Sequence, residues 1–423
     1  MIMHLVVIGT VWPEPQSSAA GSRMLQILDV FKDAGWKITF ASASGLTESF
    51  RKEQDILEVS PLTPFPEVDH WASILLNDAS FDQQLQQWNP DAVLFDRFMT
   101  EEQYGWRVAE VCPQALRILD MEDLHSLRKE RELALKAGED FREERLLASK
   151  TAVRELASIW RCDLSLVISR FELDLLQRVF QVKAELLLYL PFMIKGIAQV
   201  LAKQRKPYTE RKHFVTIGNF KHAPNADGVR YLKQQIWHHI RKALPEAEMH
   251  VYGAYASTAN QQLHDPASGF LIKGHAARSA EVVEEGRLLL APLRFGAGLK
   301  GKLVEAMLLG TPSVTTPIGA EGMYDIAWGG AIAQNAADFA RAAVNLYQEE
   351  ETWKEAQSVG YKNLQTHFQQ EDHAQRLLER INSLQHRLND HRRHNFVGQM
   401  LQHHRVQSTK YLSRWIEEKN KKN

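Results

Sequence analysis

The sequence predicts an α/β protein built from two doubly wound halves. Three observations lead there. Short apolar runs alternate with amphipathic helical stretches, the alternation occurs twice, and a polar, basic, proline-broken segment, 201–212, lies between the two series. Repeated strand–helix alternation is the pattern of a parallel sheet covered by helices on both faces.

In the first half, "HLVVIGT" reads as a buried strand, "GSRMLQILDVFKDAG" as a helix stopped by Gly35, and "KITFAS" as a second strand. "DAVLFDR", "ALRILDM" and "LSLVIS" read as further strands, each followed by polar loops and helices. The charged stretch 123–157 is expected to be helical with a solvated face; a basic face on a membrane is the alternative. After the linker, "HFVTIGNF", "EMHVYGA", "GFLIKG", "RLLLAPL", "PSVTTP" and "GAIAQ" repeat the strand pattern. The expected domains are therefore 1–195 and 213–375, followed by a helical, basic tail over 376–423. In the tail, Leu377, Ile381, Leu384 and Leu388 follow 4-3-4 spacing. From His386 onward there are nine Lys/Arg against three Asp/Glu. The bland expectation is a helix packed on the body; a homodimer seam and a contact with anionic lipid are the alternatives.

Composition narrows the function. Among 423 residues, 51 Lys/Arg balance 52 Asp/Glu, which gives no global reason to expect nucleic acid. Two cysteines, Cys112 and Cys162, exclude a disulfide framework and fit a reducing cytoplasm. The opening residues lack a basic n-region and carry an apolar run of only about five residues, where a secretory signal needs about 7–15. No apolar run approaches the roughly 18 residues of a membrane span. The residues show no metal-type spacing, so no metal and no cofactor is expected.

The most informative segment is "RFGAGLKGKLVEAMLLGTPSV" (Arg294–Val314). It reads as a loop at the carboxyl end of a strand, opening onto a short helix. A helix N-terminus attracts phosphate through its free amides and dipole. Gly296, Gly298 and Gly301 remove Cβ atoms that would keep an anion away. Lys300 and Lys302 add charge, and Glu305, in the first helical turn, can accept hydrogen bonds from vicinal hydroxyls. A nucleoside diphosphate satisfies all three features. Neither a Walker loop nor a G-x-G-x-x-G fingerprint is present, so NTP hydrolysis and hydride transfer lose ground. In "DMEDLHSLR", His125 follows a strand's carboxyl end among Asp120, Asp123 and Arg128, and Asp96 and Arg97 end another strand in the same way.

"PLRFGAGLKGKLVEAMLLGTPSVTTPIGAEGM" resembles the donor-site signature of the family 4 glycosyltransferases, the glycosyl transferases group 1. "HFVTIGNFKHAPNADGVRYL" resembles the start of their C-terminal domain, and "RILDMEDLHSLRKER" a segment of the N-terminal domain in one branch. The resemblance implies the GT-B architecture: two Rossmann-like domains facing across a cleft, the acceptor held mainly by the first and the nucleotide-sugar donor by the second. It implies sugar transfer with retention, no metal, and a glycan or lipid-linked glycan acceptor at the cytoplasmic face of a membrane, in surface glycan synthesis. Glu305 matches the glutamate that binds ribose hydroxyls. The partner glutamate expected eight residues earlier is Ala297 here, and Glu321 is the expected substitute. Lys300 and Lys302 are expected to neutralise the diphosphate, with Lys221 nearby. Gly21 and Arg23, in the Ser17–Arg23 stretch, are expected to face the diphosphate, and His125 the donor sugar. A nucleotide-sugar epimerase and a non-catalytic scaffold of the same fold remain the alternatives, the second because of Ala297.

Overall fold

The computed structural model describes residues 2–14, 19–45 and 68–420. Seven strands form the first sheet: β1 (His4–Gly9), β2 (Lys37–Ser42), β3 (His70–Ser73), β4 (Ala92–Asp96), β5 (Leu116–Asp120), β6 (Leu164–Val167) and β7 (Leu187–Tyr189). Their order is β3-β2-β1-β4-β5-β6-β7, and all pairs are parallel. The second sheet holds β8 (Lys212–Ile217), β9 (Met249–Tyr252), β10 (Phe270–Gly274), β11 (Gly286–Ala291), β12 (Ser313–Thr315) and β13 (Gly330–Ile332). Its order, β10-β9-β8-β11-β12-β13, is again fully parallel. Each sheet reverses winding direction beside its first strand, and crevices for ligands open at such switch points, beyond the carboxyl ends of the strands.

Every strand anticipated from the apolar runs is present; β3 and β7 were not anticipated. β3 is a four-residue edge strand with polar ends, and β7 is three residues just ahead of Pro191, too short to show a period. The charged stretch 123–157 forms three helices rather than one: His125–Ala137, Glu144–Leu147 and Lys150–Arg161. Gly138, at φ 71°, ends the first of them in a left-handed cap.

The tail returns to the first sheet. Near Ile194 the chain runs alongside Gln369, with Ile194 N–H donating to Phe368 O (2.7 Å). The helix Gln370–His386 then buries Leu377, Ile381 and Leu384, with Leu388 just beyond its end, among Leu5, Val7, Ile118 and Leu166. Their 4-3-4 spacing is thus satisfied inside the chain, not by a second copy. The last helix, Phe396–Asn420, is held by the buried pair Arg107–Glu417 and by Ser413 against Asn77 (3.1 Å). Among the described residues no helix is long and apolar enough to cross a membrane.

Candidate functional site

A cavity of about 560 Å³ lies between the two sheets, at the carboxyl ends of their central strands. From the second domain it is lined by the loop after β8 (Gly218, Asn219, Lys221, His222, Asn225), by Ser279, and by the stretch Phe295–Lys302 with Glu305. From the first domain it is lined by Ala19, Ala20 and Ser22 at the start of the helix Ala19–Asp33, and by Arg97, Glu122, Asp123, His125 and Arg128.

The glycine-lysine stretch folds as its sequence implies. β11 ends at Ala291, and the helix Gly301–Leu308 begins after the loop. Lys300 occupies the cap position without a capping side-chain bond; its carbonyl accepts from the Leu303 and Val304 amides (2.8 and 3.3 Å), and no capping side chain covers the amides of Gly301 and Lys302 ahead of them. Glu305 is the fifth residue of the helix, one step beyond the first turn, and its carboxylate accepts from the Ser279 hydroxyl. Burial pushes Glu305 up to about 6, with the Ser279 bond pulling back. Lys302 Nζ donates to Asn225 Oδ1 (2.9 Å), and burial pushes its ammonium down to about 8. Lys300 Nζ donates to Gly298 O (2.7 Å). Burial pushes Lys300 down to about 8 as well, with Glu321 opposing and Arg131 assisting.

The glycines do something the sequence did not disclose. Gly298 has φ 63°, and a Cβ there would lie 2.8 Å from Cβ of Asp123 in the first domain. A Cβ on Gly301 would lie 2.6 Å from Cβ of Ala19. These two positions are bare so that the domains can meet. Gly296, at φ 155°, has no atom nearer than 3.8 Å to an added Cβ.

Two charged residues of the first domain grip the loop on either side of Ala297. Arg131 Nη1 donates to Gly296 O (2.8 Å), and its two amino groups hold the Glu321 carboxylate at 2.9 and 2.7 Å. Glu172 Oε1 accepts from Gly298 N–H (2.7 Å) and Leu124 N–H (3.1 Å). Burial, with the nearby Asp123 charge, pushes Glu172 up to about 7. Glu172 fixes the Gly298 peptide by its N–H, and Lys300 bonds the carbonyl of the same residue. The Ala297 methyl packs against the core of the first domain.

The first-domain wall carries opposed charges. His125 opens the helix His125–Ala137, its Nε2 3.3 Å from Asp123 Oδ1. Burial pushes its imidazole down to about 4, against the pull of Asp123, so it is neutral at pH 7. Asp123 also pairs with Arg128. Arg97 lies 3.4 Å from Asp96, and burial holds Asp96 above the usual carboxylate range despite Arg97.

Of the residues singled out from sequence, Lys300, Lys302, Glu305, Gly296, Gly298, Gly301, Lys221 and His125 line this one cavity. Lys221 also stacks its ammonium 3.8 Å from the Tyr255 ring centre. Three residues sit elsewhere. Arg23 is 0% exposed, salt-bridged to Asp120 at 3.0 Å and donating to Pro191 O at 2.9 Å, so it braces the first domain and does not reach the cavity. Gly21 packs against the backbone of Glu14. Glu321 is held by Arg131 in the domain interface, outside the cavity lining. Ser17 and Ser18, from the same stretch as Arg23, lie outside the described residues. Sequence reasoning missed Glu122, Arg131, Glu172, Asn225 and Ser279. Glu122 and Asn225 could have been found, since both follow strands predicted to end at the cleft.

Residues 211–349 match the family described as Glycosyl transferases group 1. No curated protein matches the chain. Among solved structures, a sucrose-phosphate synthase from Thermosynechococcus elongatus is similar at 15% identity and a TM-score of 0.64, over 90% of this chain and 99% of that one. HepE from Anabaena, in complex with UDP and glucose, is similar at 14% identity and a TM-score of 0.59, over 90% and 99%. A TarM mutant from S. aureus, in complex with fondaparinux, alpha-GlcNAc-glycerol and UDP, is similar at 13% identity and a TM-score of 0.54; 71% of this chain aligns, spanning 58% of that TarM chain. The two facing parallel sheets have the GT-B architecture shared with these structures, and residues 211–349 are similar to the glycosyl transferases group 1.

Proposed function

We propose that the protein is a glycosyltransferase that moves a sugar from a nucleoside-diphosphate sugar to an acceptor hydroxyl. In this reading, residues 213–375 hold the donor, 1–195 present the acceptor, and 376–423 complete the first domain. The observation that carries it is the convergence of Lys300, Lys302, the start of the helix Gly301–Leu308 and the Glu305–Ser279 pair on one wall of the interdomain cavity. Negative charge grows on the leaving phosphate as the anomeric bond breaks. Cations and amides held in advance favour that state over the ground state.

Diphosphate neutralisation is assigned to Lys300 and Lys302, both in the cavity lining. The reaction is taken to run with retention, the leaving phosphate drawing the proton from the acceptor hydroxyl. The acceptor is taken to be a glycan, free or lipid-linked, in surface polysaccharide synthesis at the cytoplasmic face of a membrane. A non-catalytic scaffold is the reading that Ala297 favours, and turnover of any nucleotide-sugar ends it.

Glu305→Gln tests the donor wall. Gln keeps the size and loses the charge that a ribose diol would bond, and charged hydrogen bonds contribute about 1.5–3 kcal/mol. Affinity for the nucleoside diphosphate should fall tenfold or more in titration calorimetry, with the melting temperature held. Unchanged affinity would remove Glu305 from the site.

A further inference from the structure

The donor reading leaves one cavity-lining carboxyl group without a task. Among the described residues three carboxyl groups line the cavity: Asp123, Glu122 and Glu305. Asp123 is occupied by Arg128 and His125, and Glu305 by Ser279. Glu122 is different. It is 8% exposed, and its Oε1 is buried with no hydrogen-bond partner. Buried polar atoms nearly always have partners, so one without a partner at the wall of a cavity calls for an occupant. Its backbone points the same way. Glu122 stands at φ 58°, in the left-handed region that side-chain-bearing residues rarely adopt, two residues after β5. Strain of this kind survives where the surrounding structure imposes it, and it collects at ligand sites. Arg97, after the adjacent β4, shares both properties: φ 70° and a place on the same wall.

We propose that Glu122 binds a sugar hydroxyl in the cavity, with Arg97 beside it. The proposal rests on the donor reading above and adds the first-domain residue that reads the sugar. The chemistry is that of a carboxyl group accepting from, or when protonated donating to, a hydroxyl. Burial and the Asp120 charge hold the Glu122 carboxyl above its usual range, while Arg23 and Arg97 pull it back. Asp96 faces it as well. The hydroxyl can belong to the transferred sugar or to the acceptor sugar, and one variant series tells them apart.

The decisive variant is Glu122→Gly. Glycine adopts φ 58° without steric cost, so this change removes the carboxyl group and relieves the backbone together. A purely structural Glu122 would show itself as a change in melting temperature with catalysis untouched. The expectation is a melting temperature equal to or above that of the wild type and an affinity for UDP or GDP within about twofold. kcat/KM should be at least about tenfold lower, the size of one lost charged hydrogen bond. Glu122→Gln should recover part of the loss. A panel of UDP-glucose, UDP-N-acetylglucosamine, GDP-mannose and ADP-glucose supplies the probes. If the transferred sugar is read, the variant binds the preferred nucleotide-sugar no better than the free nucleotide. If the acceptor is read, donor affinity and donor hydrolysis persist while the acceptor KM rises. A Glu122→Gly protein with wild-type donor affinity and wild-type kcat/KM overturns this inference alone. A wild-type protein that binds no nucleoside diphosphate overturns the donor reading, and this inference with it.

Discussion

Lys302→Ala should lower kcat about 10²-fold while leaving the melting temperature nearly unchanged. Removing one preorganised donor to a developing anion typically costs about 10²–10³ in rate. Lys302 suits that role because its amine is bonded to the neutral Asn225 amide and lines the cavity beside Gly218 and Asn219. Its depressed pKa comes from burial, which a bound diphosphate would reverse. Lys300→Ala should behave differently. Its amine bonds Gly298 O, and Glu321 and Glu172 are nearby, so its loss also loosens the loop that Arg131 and Glu172 hold. A fall in both kcat and melting temperature is expected there. Steady-state kinetics and melts on both variants check this; full kcat in both, with every donor tested, would make these lysines bystanders.

Gly298→Val should inactivate the protein through its domain interface. Read from sequence alone, the glycine leaves room for an anion, and Val would block nucleotide binding. The structure relocates the effect. The added Cβ falls 2.8 Å from Asp123 Cβ and 3.5 Å from a methyl of Ile168, both in the first domain. The backbone at φ 63° also costs a side-chain-bearing residue about 1–2 kcal/mol, and overpacking typically about 1–3 kcal/mol more. The clash with the first domain, about 1–3 kcal/mol, acts on the closed cleft and lowers kcat by about 5- to 150-fold, and the backbone strain adds to the loss of stability. Scattering should show a more open molecule, and the melting temperature should fall. Gly296→Ala is the control, since an added Cβ there meets no atom within 3.8 Å and only the φ of 155° is strained. A Gly298→Val protein that stays closed and turns over normally would refute the interface role.

The sequence carried the parts of the site that are local. Strand, glycine-lysine loop and helix are consecutive, so Lys300, Lys302 and Glu305 could be placed together from spacing. His125 and Arg97 were readable because residues just after a parallel strand stand at the carboxyl edge of a sheet. What spacing does not encode is which way a helical side chain turns and what meets it across the cleft. Arg23 lies at the correct end of its helix but turns inward to Asp120. Glu172 and Arg131 grip a loop more than a hundred residues away, and nothing near either residue announces it. The same limit hid the partner of the tail. The 4-3-4 spacing of Leu377 to Leu388 shows a buried stripe, and only the fold shows that it is buried on β1, β5 and β6.

The central claim is that the interdomain cavity takes a nucleoside diphosphate on Lys300, Lys302 and Glu305 without a metal ion. Its most direct test is a set of thermal melts with UDP, GDP, ADP and CDP in the presence of EDTA, on the wild type and on Glu305→Gln. A ligand at 100 times its Kd stabilises the folded protein by about 2.7 kcal/mol. The expected result is a clear upward shift with at least one nucleoside diphosphate in EDTA, much reduced in Glu305→Gln at the same concentration. No shift with any of the four, or a shift that appears only when Mg²⁺ or Mn²⁺ is restored, would contradict it.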